Sequence, residues 1–218
     1  MMNILFQGDS VTDAGRTRDT LDPNFGLGSG YATMVAGHLS AQRDDLNFYN
    51  RGVGGNRIAD IYGRWQEDTL NIDFDVLSVL CGINDVGYRL RLNRGSDKER
   101  FRFMFDRMLY EALEKNPDTK LILMEPFVIK VPFHWERYGT DIYDDYEIWA
   151  HHVRENGEVV KDLAAKYGAA FVPLFDAFLT EIEGKDPARY VVDGVHPTVI
   201  GHSLITRAWL KAWDTLHV

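Results

Sequence analysis

Short apolar runs alternate with longer amphipathic stretches along this 218-residue chain. The apolar runs predict buried strands, because each covers only a few residues and most stop at a turn-forming residue. These runs lie at 4–6, 46–50, 76–81, 121–124 and 170–172. The third run is almost continuously apolar, which is typical of a strand covered on both faces of a parallel sheet.

The stretches between the strands carry apolar residues at every third or fourth position, which predicts helices. These helices span 30–42, 57–70, 96–115, 145–167, 174–183 and the region that follows 198, whereas 11–29 is predicted to be a loop. Ser96 and Glu99 have the spacing of a capping box at the start of one helix. Strands and helices alternate five times without a repeat or a linker. We therefore predict one α/β domain over residues 1–218, with a parallel sheet and helices on both faces.

Composition narrows the classes of partner. The chain is 45% apolar and 26% charged, as in ordinary globular proteins. Its formal charge of -9 argues against a nucleic-acid partner, which would require a basic face. The one cysteine, Cys81, excludes an internal disulfide framework and cysteine-rich zinc sites. No apolar stretch is long enough to span a membrane and no signal peptide is recognisable, so we expect a cytoplasmic protein with no membrane partner.

Three of the histidines on predicted helices are candidate metal ligands. His38 lies on or beside the apolar stripe of its helix and is predicted to pack in the core. His151 and His152 occupy adjacent helical positions, which are not expected to converge on one ion, so both are interpreted as surface or packing residues. The prediction is that the protein uses no metal and no other cofactor.

Polar residues suited to acyl transfer follow several of the predicted strands. Ser10, Gly55 and Asn84 lie after the first three strands, and Asp193 and His196 share a late loop. Because parallel strands open on one edge of a sheet, these residues can converge there. Serine catalysis needs an imidazole base, an acid that orients the imidazole, and donors for an oxyanion. The residue types fit this chemistry, although taken alone Asp9 and Ser10 could simply form a turn.

The four blocks Gly-Asp-Ser at 8–10, Gly55, Gly-Ile-Asn-Asp at 82–85 and Asp-Gly-Val-His at 193–196 together resemble the SGNH (GDSL-type) hydrolases. The resemblance implies a flavodoxin-like three-layer α/β/α sandwich and metal-free hydrolysis through an acyl-enzyme. It also implies the roles of individual residues: Ser10 is the nucleophile, His196 the base, Asp193 its orienting acid, and Ser10, Gly55 and Asn84 form the oxyanion hole. Two positions depart from the family pattern. Val11 replaces the usual leucine, and Gly54 stands where many members have serine, so Gly54 remains an alternative to Gly55.

Longer matches resemble the bacterial acetylxylan-esterase branch of this family. They comprise Gly-Asp-Ser-Val-Thr-Asp-Ala-Gly-Arg at 8–16, Leu-Gly-Ser-Gly-Tyr at 27–31, Asn-Arg-Gly-Val-Gly-Gly-Asn at 50–56 and Arg-Trp at 64–65. That branch removes acetyl groups from xylan or xylo-oligosaccharides, which implies a small acylated saccharide as partner. The candidate substrate contacts are Asp9, Asp13, Arg16, Asn56, Phe127, Phe133, Trp135 and Tyr138. The alternative for the aromatic residues is that they pack a long loop or a contact between copies of a homo-oligomer.

Two other functions compete with a carbohydrate deacetylase. One is a short-chain lipolytic esterase or thioesterase, for which the acidity of the chain gives little support because a phosphate-bearing CoA favours a basic rim. The other is a non-catalytic carbohydrate-binding protein on a degenerate hydrolase fold. A binding protein has no need to retain Ser10, Asp193 and His196 together, so the sequence favours an enzyme.

Overall fold

Five strands form one parallel sheet in the computed structural model, which describes residues 1–18, 26–131 and 145–216. They are β1 (Met2–Gly8), β2 (Leu46–Asn50), β3 (Val76–Leu80), β4 (Lys120–Met124) and β5 (Ala170–Val172). Their order across the sheet is β2-β1-β3-β4-β5. This is the flavodoxin-like order, so the predicted fold class is confirmed.

Within the described residues, α-helices connect and flank these strands. They are α1 (Ser10–Asp13), α2 (Tyr31–Ser40), α3 (Ile58–Gly63), α4 (Ile83–Leu92), α5 (Lys98–Lys115), α6 (Tyr146–Tyr167), α7 (Leu174–Ile182) and α8 (Val199–Trp213). A π-helical turn at Gln66–Leu70 and a 3₁₀ turn at Pro187–Arg189 complete the described helical segments. Over those same segments, no helix combines the length and the hydropathy needed to cross a bilayer.

Side chains of the strands alternate between two apolar layers, as the pleat of a strand requires. Ile4 and Phe6 of β1 join one buried cluster, whereas Leu5 joins the other. The first cluster is completed by α2, α7 and α8, the second by α3 and α5, and α6 contributes to both. The sheet therefore lies between two helical layers, as the three-layer prediction required.

Two helices were not predicted from the sequence. The first is α1, a single turn that begins at Ser10 and runs into the segment 11–29, which was predicted to be a loop. The second is α4, whose buried side is short and includes Gly87, where a Cβ would lie 2.8 Å from the ring of Trp149. A glycine contributes nothing to an apolar stripe, so the packing that stabilises α4 leaves little periodicity in the sequence.

Two local predictions are wrong. The cap of α5 is Asp97, whose carboxylate accepts a hydrogen bond from the Arg100 amide at 2.8 Å, and Ser96 is buried instead. His38 is exposed on α2 and hydrogen-bonds to Gln42 rather than packing in the core. The cap thus lies one residue later than predicted, and Val35 and Leu39, not His38, form the buried face of α2.

The strand order determines where a functional site can form. β1 lies between β2 and β3, so the chain passes to opposite sides of β1 in successive crossovers. Ligands of open α/β sheets bind outside the carboxyl ends of the strands at such a switch point. Ser10 follows β1 and Asn84 follows β3, so both lie at this switch point.

Candidate active site

Ser10 is the first residue of α1, directly after β1. The turn between them is tight, because a Cβ at Gly8 would lie 2.4 Å from both the Leu80 carbonyl oxygen and Thr12 Oγ1. Asp9 caps the helix by accepting a hydrogen bond from the Val11 amide at 3.0 Å. This local structure places the Ser10 side chain at the edge of the sheet, at the amino end of a helical turn.

A continuous set of hydrogen bonds links the serine to the two candidate residues of the late loop. Ser10 Oγ lies 2.9 Å from His196 Nε2, and His196 Nδ1 lies 2.6 Å from Asp193 Oδ2. An ionised carboxylate can only accept, so Nδ1 carries the proton and Nε2 accepts from the Ser10 hydroxyl. This is the tautomer that a general base requires.

The loop that carries His196 is organised by Asp193. Asp193 Oδ1 accepts hydrogen bonds from the backbone amides of Val195 and His196, at 3.1 and 2.8 Å. Gly194 adopts a φ of 87°, in the left-handed region that favours glycine. One carboxylate therefore shapes the backbone with one oxygen and holds the imidazole with the other.

The electrostatics of the pair favour its charged form. The hydrogen bond to Asp193 raises the pKa of His196 above its ordinary value of 6.5, and the opposing effect of burial is smaller. Burial raises the pKa of Asp193, but the hydrogen bond and charge of His196 and the two backbone amides outweigh it, so the net pKa is below the usual value. The arrangement can thus take a proton from Ser10 and stabilise the resulting imidazolium.

Candidate oxyanion donors lie beside Ser10. A Cβ at Gly54 would be 3.8 Å from Ser10 Cβ. The turn formed by Gly54 and Gly55, called the glycine turn below, therefore lies next to the nucleophile. The Gly54 amide donates to Asp13 Oδ2 at 2.8 Å, whereas the Gly55 amide makes no hydrogen bond to any described residue. Asn84 Nδ2 donates to the Asn56 carbonyl oxygen at 3.0 Å, which orients the Asn84 amide toward the same turn. Of the two glycines, Gly55 is therefore the one with an amide free to bind an oxyanion.

Arg64 ties the end of β1 to the glycine turn, a role that the sequence reasoning missed. Its guanidinium donates to five acceptors at 2.7 to 3.2 Å, namely Gln7 Oε1, the Gly8 and Arg51 carbonyls, Asn56 Oδ1 and Asp68 Oδ2. An arginine that satisfies so many backbone and side-chain acceptors is a rigid support. In the sequence, the Arg-Trp pair at 64–65 indicates only a resemblance to the acetylxylan-esterase branch.

Two buried carboxylates lie beneath the site. Asp9 and Asp85 are 1% and 0% exposed, and burial raises their pKa values to about 7 and about 6. Asp85 Oδ2 accepts a hydrogen bond from the Ile58 amide at 2.9 Å, which anchors α3 to the start of α4. Asp9, which the sequence suggested as a substrate contact, has its side chain enclosed by the protein.

The other predicted substrate contacts differ in their surroundings. Asp13 and Arg16 are buried, and Asp13 supports the glycine turn through the Gly54 amide. Asn56 is half-buried and its Oδ1 is bound by Arg64, so it positions the turn and Asn84. Phe127 is 3% exposed and stacks on Phe178 with ring centroids 4.3 Å apart, so it belongs to the core. Phe133, Trp135 and Tyr138 lie outside the described residues.

Comparisons with known proteins show the family of this chain. The model of the GDSL-like lipase/acylhydrolase family matches residues 6–204. An acetylxylan esterase from Geobacillus stearothermophilus is 33% identical over 213 residues, which covers 95% of this chain and 92% of that protein.

Solved structures show the same similarity. The crystal structure of the acetylxylan esterase Axe2 from the same bacterium superposes with a TM-score of 0.83 at 29% identity, covering 100% of this chain and 94% of that one. LAE5, an α/β hydrolase enzyme from the metagenome of Lake Arreo, gives a TM-score of 0.84 at 26% identity, with coverage of 100% and 97%. The chain belongs to the GDSL-like lipase/acylhydrolase family and is a carboxylic ester hydrolase.

Proposed function

We propose that this family member is a serine esterase that removes acetyl groups from xylan fragments through an acyl-enzyme. The observation that carries the proposal is the hydrogen-bonded series from Ser10 Oγ through His196 to Asp193. We also propose that it acts in the cytoplasm, as a single domain spanning the whole chain.

In the first step His196 Nε2 takes the proton of the Ser10 hydroxyl while Ser10 Oγ attacks the acetyl carbonyl carbon. Asp193 remains ionised, because its pKa is held low, and stabilises the imidazolium. The raised pKa of His196 makes it a stronger base than a free imidazole. The short separation of Ser10 Oγ and His196 Nε2, 2.9 Å, lets this transfer occur without rearrangement.

The carbonyl oxygen becomes negatively charged as the tetrahedral intermediate forms. The amides of Ser10 and Gly55 and the Asn84 side chain are the proposed donors to it. The free amide of Gly55 and the position of Ser10 at the amino end of α1 support this assignment. Arg64 and Asn56 hold these donors in place before substrate arrives, so little reorganisation is needed during the reaction.

The intermediate collapses when His196 gives its proton to the sugar oxygen, which leaves as a hydroxyl. The acetyl group then remains as an ester on Ser10. A water molecule, deprotonated by His196, attacks this ester, and acetate departs as the proton returns to Ser10 Oγ. Each step uses the same imidazole, first as a base and then as an acid.

Support for an acetylated saccharide comes from the relatives. Axe2 is described as an acetylxylan esterase, and related crystal structures of it carry catalytic serine-to-alanine and aspartate-to-alanine substitutions. Another is described as an acetyl-xylooligosaccharide esterase. The 33% identity across nearly the whole chain supports the same substrate class here.

The test is a comparison of kcat/KM for acetylated xylo-oligosaccharides with kcat/KM for p-nitrophenyl esters of increasing acyl length. We expect release of acetate from the oligosaccharides and a steep fall in rate beyond the acetyl ester. The Ser10→Ala variant is the matched control and should be inactive on both substrates. A preference for longer acyl chains would support the lipolytic alternative, and saccharide binding without any hydrolysis would support a binding protein.

A further inference from the structure

Two histidines and a glutamate come together on α6. One nitrogen or oxygen from each of His151, His152 and Glu155 lies within 4.8 Å of the other two. From the sequence alone, His151 and His152 are not expected to share an ion, because adjacent helical positions point about 100° apart. Glu155 brings them together, because it lies four residues after His151 and three after His152 and so neighbours both on the helix surface.

The distances already approach those of a coordination site. Glu155 Oε2 lies 2.7 Å from His152 Nδ1 and 4.0 Å from His151 Nε2. Tetrahedral zinc bonds of about 2.0–2.2 Å hold ligand atoms roughly 3.3–3.5 Å apart. The His151 side chain is 68% exposed and therefore free to rotate the remaining distance.

We propose that His151, His152 and Glu155 bind one divalent transition metal of the Zn²⁺ class, with a remaining position open to water. Two imidazoles and one carboxylate are a donor set found in protein zinc sites, whereas Mg²⁺ and Ca²⁺ prefer oxygen ligands. No other three histidine, cysteine or carboxylate side chains form such a group within the described parts of the chain.

The position of the site gives the ion a structural role. The same part of α6 buries Trp149 and Val153 in the core. The next residue after Glu155 is Asn156, whose side chain donates to the Gly82 carbonyl at 3.1 Å, two residues before Asn84. An ion that links one turn of α6 binds the folded helix and not the unfolded chain, so it stabilises the folded protein. It takes no part in the hydrolysis itself.

The experiment measures Zn²⁺ binding by the chelator-treated protein in equilibrium dialysis, together with the Tm in the presence and absence of Zn²⁺. We expect one Zn²⁺ per chain and a Tm that rises with Zn²⁺ but not with Mg²⁺ or Ca²⁺. The His151→Ala/His152→Ala double variant and Glu155→Gln should each weaken Zn²⁺ binding at least tenfold and abolish the rise in Tm.

Two control variants separate this site from other histidines. His38→Ala removes an exposed histidine of α2, and His196→Ala removes the candidate catalytic imidazole; both should bind Zn²⁺ like the wild type. The metal-free double variant should keep the wild-type Tm and esterase rate, which shows that it is folded. Failure of the wild type to bind Zn²⁺ stoichiometrically would overturn the proposal. So would wild-type affinity in the double variant, or loss of the ion in His196→Ala.

Discussion

The turn that carries Ser10 is buried and bonded from several sides, whereas the His196 ring is more open to solvent and is oriented by one side chain, Asp193. Asp9, beside the serine, is 1% exposed, and Arg64 binds both Gln7 and the Gly8 carbonyl. In contrast, 48% of the His196 side chain is exposed, and Asp193 supplies both its ring partner and the hydrogen bonds that shape its loop.

Ser10 and His196 are therefore held in place in different ways. The position of Ser10 follows from the fold, because the end of β1 and the start of α1 are enclosed by packed residues. The orientation of the His196 ring depends on Asp193, three residues earlier, while backbone hydrogen bonds from Ile129 to Gly194 and from Val192 to His196 hold the loop itself. Substitutions on the serine side should therefore change chemistry without geometry, whereas those on the histidine side should change both.

The largest expected effect is that of Ser10→Ala. It removes the nucleophile and leaves the turn intact, because the cap of α1 comes from the Asp9 carboxylate. We expect kcat to fall on the order of 10⁴-fold or more, with an unchanged Tm. The measurement is steady-state hydrolysis of p-nitrophenyl acetate, with thermal unfolding alongside. A large drop in Tm would contradict the view that the serine side is fixed by the fold.

The next effect is that of Asp193→Asn, which tests the histidine side. Asparagine can still accept hydrogen bonds from the Val195 and His196 amides through Oδ1, but its NH2 group then faces His196 Nδ1. An NH2 group can only donate, so it favours the wrong tautomer of the imidazole. We expect kcat/KM to fall by roughly 10³- to 10⁴-fold.

The same variant has a pH signature. Catalysis needs neutral His196, so kcat/KM should rise with pH as this imidazole loses its proton. In the wild type the midpoint of that rise should lie above pH 6.5, because Asp193 raises the pKa of His196. In Asp193→Asn the carboxylate is lost, so the midpoint of the rise in the remaining kcat/KM should move to lower pH. An unchanged rate and an unchanged midpoint would show that Asp193 does not orient His196.

A smaller effect is expected for Asn84→Ala, which tests the serine side of the site. Asn84 follows β3 and is oriented by the Asn56 carbonyl oxygen. Removal of a donor that acts on developing charge should lower kcat by about 10²- to 10³-fold while KM stays nearly constant. Initial rates across a range of substrate concentrations distinguish the two parameters. A change confined to KM would make Asn84 a substrate contact instead.

The smallest effect concerns the buried carboxylate under the serine. Burial raises the pKa of Asp9 from 3.8 to about 7, so between these values the folded protein holds a proton that the unfolded chain has released. The free energy of unfolding therefore falls as pH rises through this window, by at most about 1.4 kcal/mol per pH unit.

Asp9→Asn keeps the cap oxygen and removes this titration. We expect the variant to fold and to show a flatter dependence of unfolding free energy on pH between 4 and 7, measured by urea unfolding at several pH values. The wild type measured in parallel is the control. Equal slopes in the two proteins would mean that Asp9 is not protonated in the folded state at neutral pH.

The strands and the sheet were predictable because a strand buried on both faces needs a contiguous apolar run. The late loop was predictable as a candidate for a similar reason, since Asp193 and His196 are close in sequence and one turn brings them together. The two unpredicted helices show the limit of such patterns. α1 is a single capped turn, and α4 packs through Gly87 against Trp149, a residue more than sixty positions away in the sequence.

By itself, the sequence determined the α/β class, the set of candidate catalytic residues and the family they resemble. Only the tertiary structure decided that the Gly54 amide is bonded to Asp13 while the Gly55 amide has no partner among the described residues, and that Asp9 is enclosed rather than open to substrate. Local patterns report which side chains the chain can bury. Whether a given amide or carboxylate is already bonded depends on segments that are distant in sequence and meet only in the folded protein.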